Sequence, residues 1–123
     1  MIYTSYFAAM RKMTDEQKTR CVSIARFTPK GLKDIRGYAY VQPAPRLLKA
    51  HKAGEISEEQ FKAEYVAQLD KIGADVIGTD LQNMILCCYE KTGDFCHRHI
   101  LAKWLRDNGY ECEELALSGV MQI

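Results

Sequence analysis

Hydrophobic and polar positions divide the chain into short apolar runs and longer amphipathic stretches. Ile2-Tyr3-Thr4-Ser5-Tyr6-Phe7 is dense in β-branched and aromatic residues, and a first strand is predicted over residues 1–7. Cys21-Val22-Ser23-Ile24-Ala25-Arg26-Phe27 predicts a second strand. Its small, mostly apolar side chains suit a strand covered on both faces, and Pro29 and Gly31 end it. Met84-Ile85-Leu86-Cys87-Cys88-Tyr89 is a continuous apolar run too short for an independent helix, which predicts a central, buried strand. Residues 110–117 open with Tyr110-Glu111-Cys112-Glu113-Glu114-Leu115, a polar alternation that suits a strand at a sheet edge.

Helical signals fall between these runs. Residues 8–20 read as helical, and Thr14-Asp15-Glu16-Gln17 fits a capping box in which Thr14 and Gln17 satisfy backbone donors at a new turn. Leu47 to Lys52 predicts a short helix stopped near Gly54. Ser57-Glu58-Glu59-Gln60 is the clearest start signal: Ser57 caps, Gln60 caps back, and Ile56 can pack on Phe61. That helix carries Phe61, Tyr65, Leu69 and Ile72 along one face and ends at Gly73. Asp94 is predicted to cap a further helix from Phe95 to Asn108, closed by Gly109. Residues 29–46 hold all three prolines, show no clear period, and form a candidate lid. Strands alternating with helices imply an α/β fold: three layers, a mainly parallel sheet of about four strands with flanking helices, and a single domain over residues 1–123.

Composition narrows the class. With 47% hydrophobic and 27% charged residues and no low-complexity run, the chain belongs with globular proteins rather than disordered or fibrous ones. No segment offers the roughly 18 consecutive apolar residues of a membrane span, and the first residues lack a secretory leader pattern. The expectation is a cytoplasmic protein without a membrane partner. Five cysteines, an odd number, then read as reduced thiols whose placement serves packing, metal binding or catalysis. Net charge is only +1, yet residues 1–50 carry ten Lys/Arg against three Asp/Glu, and the remainder seven against thirteen. A basic half suits a small anionic ligand, although charges distant in sequence often intermingle on a folded surface. No aromatic ladder accompanies the basic residues, so nucleic-acid binding is not supported. The pattern identifies no cofactor and sets no oligomeric state.

The candidate chemistry follows from the parallel sheet, because such sheets bind ligands beyond the carboxyl ends of their strands. That edge gathers Tyr6 and Phe7, Arg26 and Phe27, and Tyr89 and Glu90 with the start of the helix after Asp94. Helical geometry aligns His97 with the apolar stripe of Ile100, Leu101, Trp104 and Leu105, while His99 points to water. Cys96, expected at the second helical position, lies where backbone N–H groups stabilise a thiolate. On this reading Cys96 is a nucleophilic or redox thiol, His97 its general base or acid, and Glu90 an orienting or proton-exchanging carboxylate. Arg98 and Arg26 hold an anionic group, and Tyr6, Cys88 and Tyr89 complete the ligand wall. The competing reading makes Cys96 a packing thiol.

Cys87 and Cys88 are consecutive on a strand and must point to opposite faces. Cys88 can meet Cys96, either as a reversible disulfide or as a metal site with His97. The spacing matches no common zinc pattern, so no metal ligand is assigned. Cys21 and Cys112 read as structural, and His51 as a surface residue. Two other motifs fail: only His97 separates Cys96 from Arg98, unlike a Cys-x5-Arg phosphate cradle, and the glycine that must precede Lys91-Thr92 in a phosphate loop is absent.

The residues that carry this chemistry also carry a resemblance. Tyr3-Thr4-Ser5-Tyr6-Phe7-Ala8, Val22-Ser23-Ile24-Ala25-Arg26-Phe27-Thr28-Pro29, Gly54-Glu55-Ile56-Ser57, and above all Leu86-x-Cys88-Tyr89-Glu90 followed by Phe95-Cys96-His97-Arg98 make the chain similar to the bacterial and phage family known as domain-of-unknown-function family 488. The resemblance spans about residues 2–115. It implies a small α/β domain whose most typical residues are Cys88, Glu90, Cys96, His97 and Arg98, and it lends no established reaction. Cys87, in place of an aliphatic residue, and Thr92, in place of proline, depart from the family pattern. Three functional classes stay open: an enzyme acting on a small anionic, nucleotide-like ligand; a non-catalytic module binding a ligand or partner through the same turn; and a metal or redox site at Cys88 and Cys96.

Overall fold

The computed structural model describes residues 1–26, 29–32, 35–89 and 96–116. Its strands are β1 (Ile2–Tyr6), β2 (Cys21–Ser23), β3 (Arg36–Gly37), β4 (Ile85–Cys88) and β5 (Cys112–Glu114). They form one sheet in the order β3-β2-β4-β1-β5, and every neighbouring pair is parallel. β4 lies at the centre, with Ser5 opposite Cys87 on one side and Ser23 opposite Cys87 on the other. All four of its residues are buried, which is why it reads as an unbroken apolar run rather than an alternating one.

The sheet has five strands where about four were expected. The additional one, β3, has two exposed residues, Arg36 and Gly37, neither with a strand-forming side chain. It forms because the outer edge of β2 would otherwise leave backbone groups unpaired. β2 is also shorter than predicted and stops at Ser23, so Arg26 lies beyond the strand in the turn that follows; Phe27 lies outside the described residues. The candidate lid is built from short pieces: 3₁₀ helices at Lys30–Leu32 and Ala39–Val41 with β3 between them.

The helices are α1 (Asp15–Thr19), α2 (Pro45–Lys52), α3 (Glu58–Ile72), α4 (Ala74–Asp80) and α5 (His97–Asp107). Both predicted capping boxes are present. Ser57 accepts from the Gln60 N–H at 3.1 Å while the Gln60 side chain accepts from the Ser57 N–H at 2.8 Å, and Thr14 and Gln17 repeat the arrangement. The start of the region after β1 is a 3₁₀ helix, Phe7–Lys12, rather than an α-helix. α4, which carries no amphipathic signal of its own, follows α3 after the single residue Gly73.

Each sheet face has its own core. Cys21, Ile85 and Cys87 pack with Phe7, Ala9, Met10, Met13 and Ala25 on one side. Val22, Ile24, Leu86 and Cys88 pack with residues of α2, α3, α4 and α5 on the other, among them Leu47, Phe61, Tyr65, Ile77, Leu101 and Trp104. The consecutive cysteines of β4 are therefore divided between the two cores. The connections after β1 and β2 cover one face, and those after β3 and β4 cover the opposite face. Where neighbouring strands send their chains to opposite faces, a crevice opens beyond their carboxyl ends. β4 has such a neighbour on each side.

Candidate functional site

Three segments meet at that crevice: the turn after β2, the end of β4 and the first turn of α5. α5 begins two residues later than expected, at His97, and its cap is Cys96 rather than Asp94. Cys96 has extended backbone (φ −153°) and its Sγ accepts the Arg98 N–H at 3.5 Å. A cysteine cap keeps the thiol against the backbone donors of the first turn, where negative charge on sulfur is stabilised. Asp94 itself lies outside the described residues, as does the proposed carboxylate Glu90.

His97 is 6% exposed. Its Nε2 lies 2.7 Å from the Ile24 carbonyl oxygen and its Nδ1 lies 4.0 Å from Cys96 Sγ. A carbonyl can only accept, so Nε2 carries the hydrogen and, in the neutral ring, Nδ1 presents a lone pair to the sulfur. Burial pushes the imidazole down to a pKa of about 4; the bond to Ile24 opposes this shift and the Arg98 charge adds to it. His97 is thus neutral at pH 7, held as a proton acceptor facing Cys96. Its ring also meets Tyr65 edge to face at 5.6 Å.

Arg98 is fully buried. Its Nε and Nη2 donate to the two carboxylate oxygens of Glu114 at 3.2 and 2.9 Å, and its Nη1 donates to Cys88 Sγ at 3.0 Å. The guanidinium lies 5.6 Å from the centre of the Tyr6 ring, and Thr4 Oγ1 donates to Glu114 at 2.6 Å. The bidentate geometry and the partners on three strands compensate the burial of the charge. Cys88 and Cys96 are paired sulfur to sulfur as a disulfide. Cys21, Cys87 and Cys112 are free and buried. Hydrogen bonding with Cys21 and burial push the Cys87 thiol up, and burial pushes Cys112 up to about 11, so both are neutral packing groups. Among the described residues no cluster of three or more His, Cys, Asp or Glu is arranged to hold a metal, and no helix is long and apolar enough to cross a membrane.

A cleft of about 600 Å³ opens in front of His97. Ala25 and Arg26 from the turn after β2, Tyr89 from the end of β4, and one side of α2 line it. α2 contributes the apolar Pro45 and Leu48 together with Lys49, His51 and Lys52. Lys49 and Lys52 are three residues apart and so share a helical face.

The structure thus brings Arg26, Tyr89 and His97 to one cleft, with Cys96 beside the His97 ring and Cys88 joined to Cys96. It places Arg98 and Tyr6 away from the cleft wall, in the buried cluster that supports the thiols. Two contributions were missed in the sequence. Glu114 was read only as an edge-strand residue, although a buried arginine requires an acid and the last strand carries several. The basic side of α2 was missed because its position over the sheet edge depends on the whole connection from β3 to β4; His51 is half-buried there rather than free on the surface.

Fold and site define a parallel α/β protein with a Cys–His pair at the carboxyl edge of its sheet. Residues 5–109 match the family model of the active DUF488-N3 subclade, and the chain belongs to this branch of domain-of-unknown-function family 488. No curated protein and no solved structure matches it significantly.

Proposed function

We propose that this protein is an enzyme that binds a small anionic, nucleotide-like ligand in the cleft before His97 and uses Cys96 as a nucleophile. The observation that carries the reading is the His97 tautomer: the Ile24 carbonyl holds the hydrogen on Nε2 and thereby turns a neutral, basic Nδ1 toward the Cys96 sulfur. In the reduced protein the Cys96 thiol transfers its proton to Nδ1 as sulfur attacks an electrophilic centre, and the Arg98 N–H stabilises the charge on sulfur. Glu90, which follows β4 in the sequence, orients the reacting group or exchanges a proton with it. The cleft suits an amphipathic anion: Lys49, Lys52 and Arg26 face the charged group, and Pro45, Leu48 and the Tyr89 ring face a planar, less polar part. The description of the matched subclade as active supports an enzymatic role.

Calorimetric titration with adenosine monophosphate, adenosine and inorganic phosphate tests the ligand class. The monophosphate is expected to bind more tightly than either fragment, and Lys49→Glu combined with Lys52→Glu is expected to weaken it by about tenfold or more. Absence of binding by all three would remove the nucleotide-like reading. Turnover in a metabolite screen should vanish in Cys96→Ala and in His97→Ala; unchanged turnover in both excludes this mechanism.

One observation favours the non-catalytic module instead. Cys96 is only 2% exposed and Cys88 is wholly buried, as residues that merely shape a binding cleft would be. Retention of a ligand with no turnover across the panel would select that role.

A further inference from the structure

We infer that Cys88 and Cys96 form a two-electron dithiol–disulfide couple with unequal partners, Cys96 being the sulfur that reacts with incoming molecules and Cys88 the one that resolves and leaves. As a switch on the Cys96–His97 pair, the inference rests on the enzymatic reading above; as redox chemistry, it stands on the thiol cluster alone. The two sulfurs, eight positions apart in the sequence, are paired, while the chain's other three cysteines are free. Arg98 serves both: its backbone N–H points to Cys96 and its Nη1 to Cys88 at 3.0 Å, with the guanidinium fixed by Glu114. A thiolate leaving at Cys88 is therefore met by the Arg98 guanidinium, whereas Cys96 adjoins His97, which lines the cleft, and is the less buried of the two residues, 2% exposed against 0% for Cys88. Low-lying thiolates make good leaving groups in exchange reactions.

The oxidant is a hydroperoxide. The Cys96 sulfur attacks the terminal peroxide oxygen, the O–O bond breaks, and the departing alkoxide takes the thiol proton, leaving Cys96 as a sulfenic acid. The Cys88 sulfur then attacks Cys96, the S–O bond breaks, and hydroxide leaves as water with the Cys88 proton. Two thiols and one hydroperoxide give one disulfide, one alcohol and one water. A dithiol reductant reverses the state: its thiolate bonds to Cys96, Cys88 leaves as the thiolate beside Arg98 and is then protonated, and the second thiol of the reductant closes its own disulfide and frees Cys96. While the disulfide holds, Cys96 has no thiol proton to offer Nδ1 of His97, and the pair is switched off.

The whole chain, reduced with dithiothreitol and desalted, is treated with one equivalent of hydrogen peroxide, and thiols are counted after denaturation. The count should fall from five to three and return to five with dithiothreitol. Cys87→Ser should fall from four to two, whereas Cys88→Ser and Cys96→Ser should yield no intramolecular disulfide by intact mass. A link through Cys21, Cys87 or Cys112, or no reversible loss of two thiols, would overturn the couple. Exposure to cystamine should leave a mixed disulfide on Cys88→Ser and none on Cys96→Ser; the reverse pattern would overturn the assigned roles. Once a substrate is found, equal turnover by oxidised and reduced protein would refute the switch. Failure of adenosine monophosphate to bind, with the thiol cycle intact, counts against the cleft reading and leaves the couple standing.

Discussion

At the scale of single residues, His97 shows how position in the fold sets chemistry. An exposed imidazole is half protonated near pH 6.5, but this ring is buried and its remaining acceptor faces sulfur rather than water. The folded-state pKa of about 4 lies below the ordinary value, so between the two the unfolded chain binds a proton that the folded chain refuses. The stability this contributes is therefore complete above pH 6.5 and is lost as pH falls toward 4. Urea unfolding of the wild type should lose about 2 kcal/mol more between pH 7 and pH 5 than unfolding of His97→Gln, which keeps a donor for Ile24 and does not titrate. Equal pH dependence in the two proteins would mean that His97 takes up its proton in the native state as readily as in the unfolded chain. Of the residues expected here, the structure brings Arg26, Tyr89 and His97 to the cleft and Cys96 to His97, whereas Glu114 and the lysines of α2 were not expected. The His97 tautomer was not legible from sequence, because Ile24 lies 73 positions away in the chain.

At the scale of elements, a segment is legible where several local signals agree, and less so where one stands alone. α3 was legible because its capping box, its apolar stripe and its terminal glycine all lie within one continuous segment. Ser57→Ala should cost about 1 kcal/mol in chemical denaturation, since it frees backbone donors at the start of the helix that buries Phe61, Tyr65 and Leu69. Gly73 joins α3 to α4 with φ +99°, and a Cβ placed there would meet nothing within 4 Å. Gly73→Ala is accordingly expected to cost about 1–3 kcal/mol through backbone strain alone. A smaller effect than that of Ser57→Ala would show that the two helices can rearrange at their junction. β3 was not legible: two residues, one of them glycine, carry no periodicity, and only the vacant edge of β2 makes them a strand. The displaced start of α5 has a similar cause, since Asp94 is the better cap by propensity while the contacts of the first turn place Cys96 there.

At the scale of the molecule, the Arg98–Glu114 pair ties the helix that carries the site to the edge strand β5, and through Thr4 and Cys88 to β1 and β4. Glu114→Gln keeps the shape but removes the charge facing a fully buried guanidinium. Because the Glu114 side chain is 30% exposed, the expected loss is discounted to about 2 kcal/mol. The exposed pair Lys103–Asp107 provides the contrast, and Lys103→Ala should change stability by less than about 0.5 kcal/mol. Thermal or urea unfolding of both variants checks the difference. Comparable losses would show that Arg98 finds compensation elsewhere. The basic first half of the sequence also takes on meaning at this scale, since Arg26 and Lys49 from that half meet Lys52 at one cleft.

The sequence by itself determined the alternation of strands and helices, the central place of β4, the division of Cys87 from Cys88 and the grouping of reactive residues near the start of α5. These follow from hydrophobic period, capping chemistry and the geometry of consecutive strand residues, all local properties of the chain. Only the tertiary structure decided that Arg98 turns inward to Glu114, that α2 brings its lysines over the sheet edge, and that His97 offers Nδ1 to Cys96. Each of these depends on a partner distant in sequence, and the choice among partners is made by packing.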